Sequence, residues 1–163
     1  MAAEPLRMDL SKMAPEAYRH FLQLEGVIGQ HVDRKLLHLV KLRASQINGC
    51  AYCLAMHTDE ALRDGEPTER LTLLDAWEES TLYSEKERAA LAWVEEVTLI
   101  ADSGAGKESF DALKAYFSEE EIAWLTLAVV QINSWNRMAI SSRRQYDRRM
   151  FAHGAPEKTP EPA

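Results

Sequence analysis

The dipeptide Asn48-Gly49 separates two stretches of helical periodicity and stands directly before the two cysteines of the chain, Cys50 and Cys53. Asn-Gly is typical of a turn or a helix end, so we predict that one helix ends here and that another begins at Cys50 and reaches about residue 63. An α-helix turns by about 100° per residue, which places Cys50, Cys53 and His57 within about 60° of one another. The second helix therefore carries two thiols and an imidazole on one face.

This arrangement favours a redox-active dithiol. Two thiols one helical turn apart can close into a disulfide after modest local adjustment. His57, four residues after Cys53, can take the thiol proton or hold the thiolate, and the N–H groups of the first helical turn also stabilise a thiolate. Two other interpretations remain open. A zinc site needs about four ligands, whereas only His57 and one further candidate such as His38 are available, and the cysteines could also be inert packing residues.

The rest of the chain predicts helices. Pro15 begins a helix that Gly26 can end, a helix follows over residues 30–46, and Pro67 begins another through Trp77. After the loop at residues 103–106 we expect a short helix over residues 108–116. We find no strand-like alternation, no Gly-rich phosphate loop and no repeat of fixed period. The predicted fold class is all-α, with no bound cofactor.

Two serines mark further helix starts. Ser84 and Ser118 are each followed three residues later by a glutamate, which is the pattern of a capping box. The helix after Ser118 is apolar on all sides over several turns, so it should be buried on more than one side. In a chain of this length a subunit interface is a sensible source of the second side, and we expect a homo-oligomer.

Composition and charge limit the classes of function. The 163 residues suit one domain, for which we predict residues 1–152, followed by a disordered Pro/Glu-rich tail over residues 153–163. The net charge of −7 argues against nucleic acid and an anionic membrane as partners. No apolar run approaches the roughly 20 residues of a membrane span, and the N-terminus lacks a signal-peptide core. We therefore predict a cytoplasmic protein, in which a structural disulfide would be unusual.

With these residues in hand, the chain resembles the AhpD-like family, the alkylhydroperoxidase and carboxymuconolactone decarboxylase superfamily. The resemblance is most specific over residues 39–53, with His57 completing the pattern CxxCxxxH. It continues over residues 84–93 and 132–140, and together these segments span most of residues 30–142. The resemblance implies a bundle of six to eight helices that assembles as a dimer, trimer or hexamer.

The resemblance also implies a peroxidase that reduces organic hydroperoxides and is recycled by a thiol or lipoyl-type reductant. In that family the residue matching Cys53 is the attacking thiolate, the one matching Cys50 resolves the sulfenic acid, and the one matching His57 belongs to a proton relay. A glutamate twelve residues before the first cysteine usually heads the relay. This chain has His38 there instead, and histidine can also pass protons near neutral pH.

Alternatives from other classes remain. The protein could be a thiol–disulfide oxidoreductase or redox sensor with little peroxide turnover, or a zinc-binding protein. Lactone decarboxylation ranks lower, because that branch of the superfamily generally does not depend on a CxxC pair. For the peroxidase we expect an apolar pocket that includes Leu54 and Trp135 and favours alkyl hydroperoxides. Tyr52 could donate a hydrogen bond to a bound peroxide, or it could simply pack.

Overall fold

The computed structural model describes residues 5–147. This range contains nine α-helices and one 3-10 helix and no strand, which confirms the all-α fold class. Seven of the α-helices have five residues or more, in line with the expected six to eight, and two are single four-residue turns. The predicted tail over residues 153–163 lies outside the described residues. The helices are α1 (Leu10–Met13), α2 (Pro15–His31), α3 (Arg34–Asn48), α4 (Ala51–Arg63), α5 (Thr68–Thr72), the 3-10 helix (Leu73–Ala76), α6 (Glu85–Thr98), α7 (Ile100–Ser103), α8 (Lys107–Leu113) and α9 (Glu119–Ser142).

Side chains cap four of the helix starts, those of α3, α4, α6 and α9. The predicted capping boxes at Ser84 and Ser118 are both present: each serine hydroxyl accepts a bond from the glutamate N–H three residues on, and each glutamate carboxylate accepts one from the serine N–H. Asp33 caps α3 by accepting a bond of 3.0 Å from the Leu36 N–H. Because of this cap, α3 begins at Arg34 rather than at the predicted residue 30.

Helix α2 does not end at Gly26, contrary to the prediction, but continues to His31. Tertiary packing outweighs the intrinsic cost of a glycine inside a helix. Ile28, beyond the glycine, is 1% exposed in the main core. On the other side of the glycine, the Phe21 carbonyl accepts a bond of 2.9 Å from the Gln131 side chain of α9.

The segment predicted as one helix from Pro67 through Trp77 is bent. Pro67 is the N-cap of the five-residue α5, and the 3-10 helix follows. The bend brings Leu74 and Trp77 into a cluster with Leu39 and Leu91 of α3 and α6, where Leu74 is completely buried. Burial of these side chains compensates for the broken helix. Helix α8 is likewise shorter than predicted and ends at Leu113.

Helix α3 lies at the centre of the fold and packs against α4, α6 and α9. The main core gathers apolar side chains from α2, α3, α6, α8 and α9 around the completely buried Val40, Val94 and Val129. The all-round apolarity of α9 is only partly explained within the chain, because Leu127 and Val130 remain 43% and 49% exposed. No helix within residues 5–147 is long and apolar enough to cross a bilayer.

Two glycine substitutions should change stability in opposite directions. Gly49 has φ +66° and ends α3 in the left-handed region, whereas Gly26 lies inside α2; a Cβ at either position would meet nothing within 4 Å. We expect Gly49→Ala to lower the free energy of unfolding by about 1 kcal/mol through backbone strain, and Gly26→Ala to raise it by about 0.5–1 kcal/mol. Urea denaturation of both variants measures this. Equal effects of the two variants would contradict the assignment of the turn.

Candidate active site

The turn between α3 and α4 places the cysteines, as the sequence predicts. The Cys50 N–H donates to the Ser45 carbonyl at 3.0 Å and the Gly49 N–H donates to the Gln46 carbonyl at 3.1 Å, so the chain reverses within two residues. Cys50 thereby becomes the N-cap of α4, and its Sγ accepts a bond of 3.3 Å from the Cys53 N–H. The sulfur pair lies at the positive end of the α4 dipole.

Cys50 and Cys53 form a disulfide, with their Cα atoms 5.4 Å apart. Both residues are buried, at 1% and 2% exposure, and they pack against Ala139 of α9 and against Tyr52. The pair predicted to be redox-active is therefore present in its oxidised form. Within residues 5–147, no group of three or more His, Cys, Asp or Glu side chains is arranged to hold a metal ion.

His57 lies one turn after Cys53 on the same helix and is 4% exposed. Its Nδ1 is 2.8 Å from Oε2 of Glu60, and its buried Nε2 has no hydrogen-bond partner among the described residues. A carboxylate can only accept, so Nδ1 carries the hydrogen and, in the neutral ring, Nε2 keeps a free lone pair. The imidazole is thus oriented as a base by a carboxylate on its far side.

Glu60 is a site residue that the sequence reasoning missed. Its burial would raise the pKa of the carboxyl, but the hydrogen bond from His57 and the charges of His57, Lys41 and His38 outweigh that effect and lower it. The carboxylate is therefore ionised at neutral pH. The available signal was its spacing, because residues three apart are neighbours on a helix surface.

His38 lies on α3 and is also buried, but it has a different partner from the one expected. Its Nε2 is 2.6 Å from Oδ2 of Asp64, the C-cap residue of α4, and Asp64 also accepts a bond of 2.6 Å from the Arg34 guanidinium. The hydrogen bond from His38, followed by that from Arg34, lowers the pKa of Asp64. No hydrogen bond joins His38 to His57 in residues 5–147, and the role of His38 in proton transfer stays a prediction.

A cavity of about 350 Å³ opens beside Cys53, His57 and Glu60. Cys53 lines it and Cys50 does not. Most of the remaining wall is apolar. It comes from α2, α4, α9 and the N-terminal arm, which is the segment over residues 5–14 that includes α1. Its apolar residues include Met8, Leu10, Leu22, Met56, Trp135 and Met138. Such a wall suits an organic molecule, since ligand sites are mostly apolar with a few placed polar groups.

The expected pocket residues are partly confirmed. Trp135 lines the cavity, and its ring makes edge contacts with Tyr18 and Phe21 of α2. Leu54 does not line it, because the residue after Cys53 is turned by about 100° around α4 and packs in the cluster around Leu74. Tyr52 lines the cavity and also packs against the disulfide, so both of its expected roles are compatible with its position.

Asparagine amides, those of Asn133 and Asn136 buried and that of Asn48 half-buried, join the end of α3 to α9. The Asn48 amide donates to the Ala44 carbonyl and to the side-chain oxygens of Asn133 and Asn136, each at 2.9 Å. Asn136, fully buried, donates in turn to the Ser45 hydroxyl at 3.0 Å. These bonds hold the α3–α4 turn against the helix that forms the far wall of the cavity.

The sequence profile described as "Carboxymuconolactone decarboxylase family" matches residues 15–96. The chain is also 38% identical to the uncharacterized protein YdfG of Bacillus subtilis over 136 residues. The aligned region covers 83% of this chain and 92% of YdfG. The chain belongs to the carboxymuconolactone decarboxylase family.

Among solved structures, a protein of unknown function from Agrobacterium tumefaciens, a candidate antioxidant defence protein AhpD, is 42% identical with a TM-score of 0.85, over 88% of this chain and 99% of that one. The debrominase Bmp8 is 25% identical with a TM-score of 0.74, over 86% of this chain and 76% of that one, and a variant of it was solved with 2,3,4-tribromopyrrole. The AhpD-like fold is thus confirmed. Together with the CxxC pair, it indicates a peroxidase-like role.

Lowering the pH should remove the contribution of Glu60 to stability. Because the folded-state pKa of Glu60 lies below the ordinary value of 4.5, its ionised form stabilises the fold above about pH 4.5, and this contribution is lost as the pH falls through the lowered pKa. We expect the difference in free energy of unfolding between wild type and Glu60→Gln to be constant near neutral pH and to shrink below pH 4.5. Urea denaturation across pH measures it.

The matched control is Glu69→Gln, at an exposed position on α5 outside the cavity. Its difference from wild type should stay small across the same pH range. A wild-type advantage over Glu60→Gln that persists unchanged at pH values well below 4.5 would mean that the ionised Glu60–His57 contact is not its source.

Proposed function

We propose that the protein is a thiol-dependent peroxidase that reduces organic hydroperoxides through the Cys50–Cys53 pair. The observation that carries this proposal is the arrangement around one apolar cavity. Cys53 borders the cavity at a helix N-terminus, and the buried base His57 lies one turn away with a free Nε2. Membership of an AhpD-like family supports the same class of reaction.

In the reduced protein, His57 Nε2 takes the proton of the Cys53 thiol. The thiolate attacks the distal oxygen of ROOH, so an S–O bond forms, the O–O bond breaks and the alkoxide leaves as ROH with the proton from His57. The product is a sulfenic acid on Cys53. The Cys50 thiol then displaces water from this sulfur to give the disulfide. Two external thiols, or one lipoyl-type dithiol, return two electrons and two protons by exchange and leave as a disulfide.

The roles of the two cysteines follow from access. Cys53 borders the cavity, whereas Cys50 lies behind it as the helix cap with 1% exposure. A hydroperoxide in the cavity therefore meets Cys53 first, and Cys50 is close enough to resolve the sulfenic acid. Cys53 also lies in the first turn of α4, where the helix dipole favours the thiolate.

Glu60 takes the place of the relay glutamate that the resemblance leads one to expect at position 38. It orients the His57 ring at 2.8 Å and stabilises the imidazolium that forms when the Cys53 proton is transferred. Lys41, also on the cavity wall, keeps Glu60 ionised by its charge. The loss of a glutamate on α3 is thus offset by one on α4, three residues after the base.

Thiol–disulfide exchange with a protein partner is the main rival. It requires a sulfur atom that a second polypeptide can reach. Exposures of 1% and 2% for the two cysteines favour a small oxidant that enters the cavity. A slender lipoyl-type arm suits the same cavity as the reductant.

The outward apolar side chains Leu127 and Val130 of α9 support a homo-oligomer.

Single-cysteine variants test the peroxidase. After one equivalent of cumene hydroperoxide, we expect the reduced wild type to lose both thiols and two hydrogens by intact mass, because the pair closes to a disulfide. Cys50→Ser should accumulate a sulfenic acid that dimedone traps, and Cys53→Ser should keep its thiol. Thiols that survive excess peroxide in the wild type but exchange readily with a disulfide reagent would instead favour the oxidoreductase.

The carboxylate that serves His57 can be identified by paired variants. Glu60→Gln should slow oxidation of Cys53 by about 10- to 100-fold, the equivalent of ~1.5–3 kcal/mol for a hydrogen bond to a charged group. It should also raise the pH at which the Cys53 thiol reacts with iodoacetamide. Asp64→Asn, which removes the partner of His38, is the control and should change the rate far less. A larger effect of Asp64→Asn would mean that the proton relay depends on His38 and its carboxylate partner.

A further inference from the structure

Arg144 is a charged side chain on the cavity wall that the proposed reaction does not use. Helix α9 ends at Ser142, its C-cap residue Arg143 has φ +57°, and the Arg144 N–H donates to the Ala139 carbonyl at 2.9 Å. This turn directs the chain back along the helix and brings Arg144 to the cavity. Its guanidinium lies 5.0 Å from the centre of the Tyr52 ring, so it sits beside the residue that precedes Cys53.

The guanidinium is fixed and charged. A hydrogen bond with Tyr52 is the main cause that raises the pKa of Arg144, and the charges of Tyr52, Tyr18 and Asp9 add to it. Contact with an aromatic face holds a guanidinium in place at low cost, because arginine is weakly hydrated and stacks well. Arg144 therefore presents a preorganised cation to the cavity.

Among residues 5–147, Arg144 forms no ion pair with a carboxylate; Asp9, whose charge acts on it, is bonded to Ser11 at 2.6 Å and paired with Lys12 at 3.4 Å. The lysine of the cavity wall already has a carboxylate partner, since Lys41 is paired with Glu25. In a chain of net charge −7, a cavity-facing arginine without a carboxylate partner in the described range is an unused binding group.

The shape of the cavity complements this charge. About 350 Å³ is near the lower end of the roughly 300–1,000 Å³ found for small-molecule sites. Leu22, Trp135 and Met138 provide an apolar wall for the body of a ligand. Tyr52 packs against the disulfide, so the guanidinium beside its ring lies on the side of the cavity where the sulfur is. A compact ligand with one apolar body and one anionic group satisfies both features.

We propose that the site selects organic hydroperoxides that carry a carboxylate, with the apolar body in the cavity and the carboxylate on Arg144. The planar guanidinium fork matches a carboxylate through two parallel N–H···O bonds. This inference rests on the proposed peroxidase function for its redox step, which consumes ROOH and two thiols and yields ROH, water and the disulfide. The choice of ligand by charge is a separate property of the cavity.

The test compares two substrates of nearly equal size: the para-carboxy derivative of cumene hydroperoxide and its methyl ester. In the wild type we expect KM to be about tenfold lower for the acid, as a charged hydrogen bond allows. In Arg144→Gln the acid should lose this advantage, so that the ratio of its KM to that of the ester rises to about one. Arg144→Lys should restore part of the preference, because lysine keeps the charge but not the fork.

Arg63→Gln is the matched control, because Arg63 is an exposed arginine of α4 that pairs with Asp59 and does not line the cavity. It should leave the preference for the acid intact. Rising salt should weaken the preference in the wild type, since Arg144 is exposed and its charge is screened. Equal KM values for acid and ester in the wild type would overturn the inference while leaving peroxidase activity in place.

Binding without turnover separates this inference from the proposed function. Calorimetric titration of the oxidised protein with para-isopropylbenzoate and with its methyl ester needs no peroxide. We expect the carboxylate to bind more tightly and Arg144→Gln to abolish the difference. If neither hydroperoxide is turned over but this difference in binding persists, the anion-binding site at Arg144 is supported and the proposed peroxidase activity is contradicted. If ester and carboxylate bind alike, the anionic site is excluded.

Discussion

The α3–α4 turn is the feature on which the site depends. Gly49, in the left-handed region, lets Cys50 leave α3 and cap α4 within one residue. That single step places one sulfur at the helix cap and the other in the first turn, where N–H groups and the dipole favour a thiolate. The half-buried Asn48 amide and the buried Asn136 amide hold the same turn to α9, and an amide pair with only half of its hydrogen bonds there would be costly. Backbone geometry, rather than any special side chain, therefore sets up the dithiol.

The two buried histidines, His57 and His38, are hydrogen-bonded to different carboxylates. This difference determines which histidine can act as the base. His57 faces the cavity and is held by Glu60, while His38 faces Asp64 and Arg34. Each contact orients its ring, but only His57 lies one turn from Cys53 with an unpaired buried nitrogen among the described residues. The proposed proton transfer therefore uses His57, and the His38–Asp64 contact joins α3 to the end of α4.

The sequence predicted what depends on neighbours along the chain and missed what depends on contacts across the fold. The capping boxes at Ser84 and Ser118 and the turn before Cys50 are local, and all three are confirmed. Gly26 was expected to end α2 because a glycine costs helical stability locally, but burial of Ile28 against distant helices outweighs that cost.

The same distinction separates the site residues that were predicted from those that were not. Asp64 lies 26 residues from His38, and only the packing of α3 on α4 makes them partners. Leu54 was misplaced for a simpler reason, because the apolar pocket was assigned by adjacency to Cys53 rather than by angle around the helix. Glu60 followed a local rule and could have been found, since residues i and i+3 meet on a helix.

The reactive groups and the walls of the cavity come from different parts of the chain. Cys50, Cys53, His57 and Glu60 all lie within residues 15–96, the part that matches the family profile. The N-terminal arm and the end of α9 lie outside that part, yet both line the cavity. The arm is joined to α9 by a bond of 2.8 Å from the Arg7 N–H to the Ser142 carbonyl.

Changes in these two segments can therefore alter the size and charge of the cavity without moving the dithiol or its base. Arg144 is in one of them, immediately after α9, and Leu10 is in the other. A family that shares the central helices can then share one thiol chemistry while its members accept different molecules. In this chain, we therefore expect the residues that determine substrate choice to lie in the two terminal segments rather than in α4, the helix of the CxxC pair.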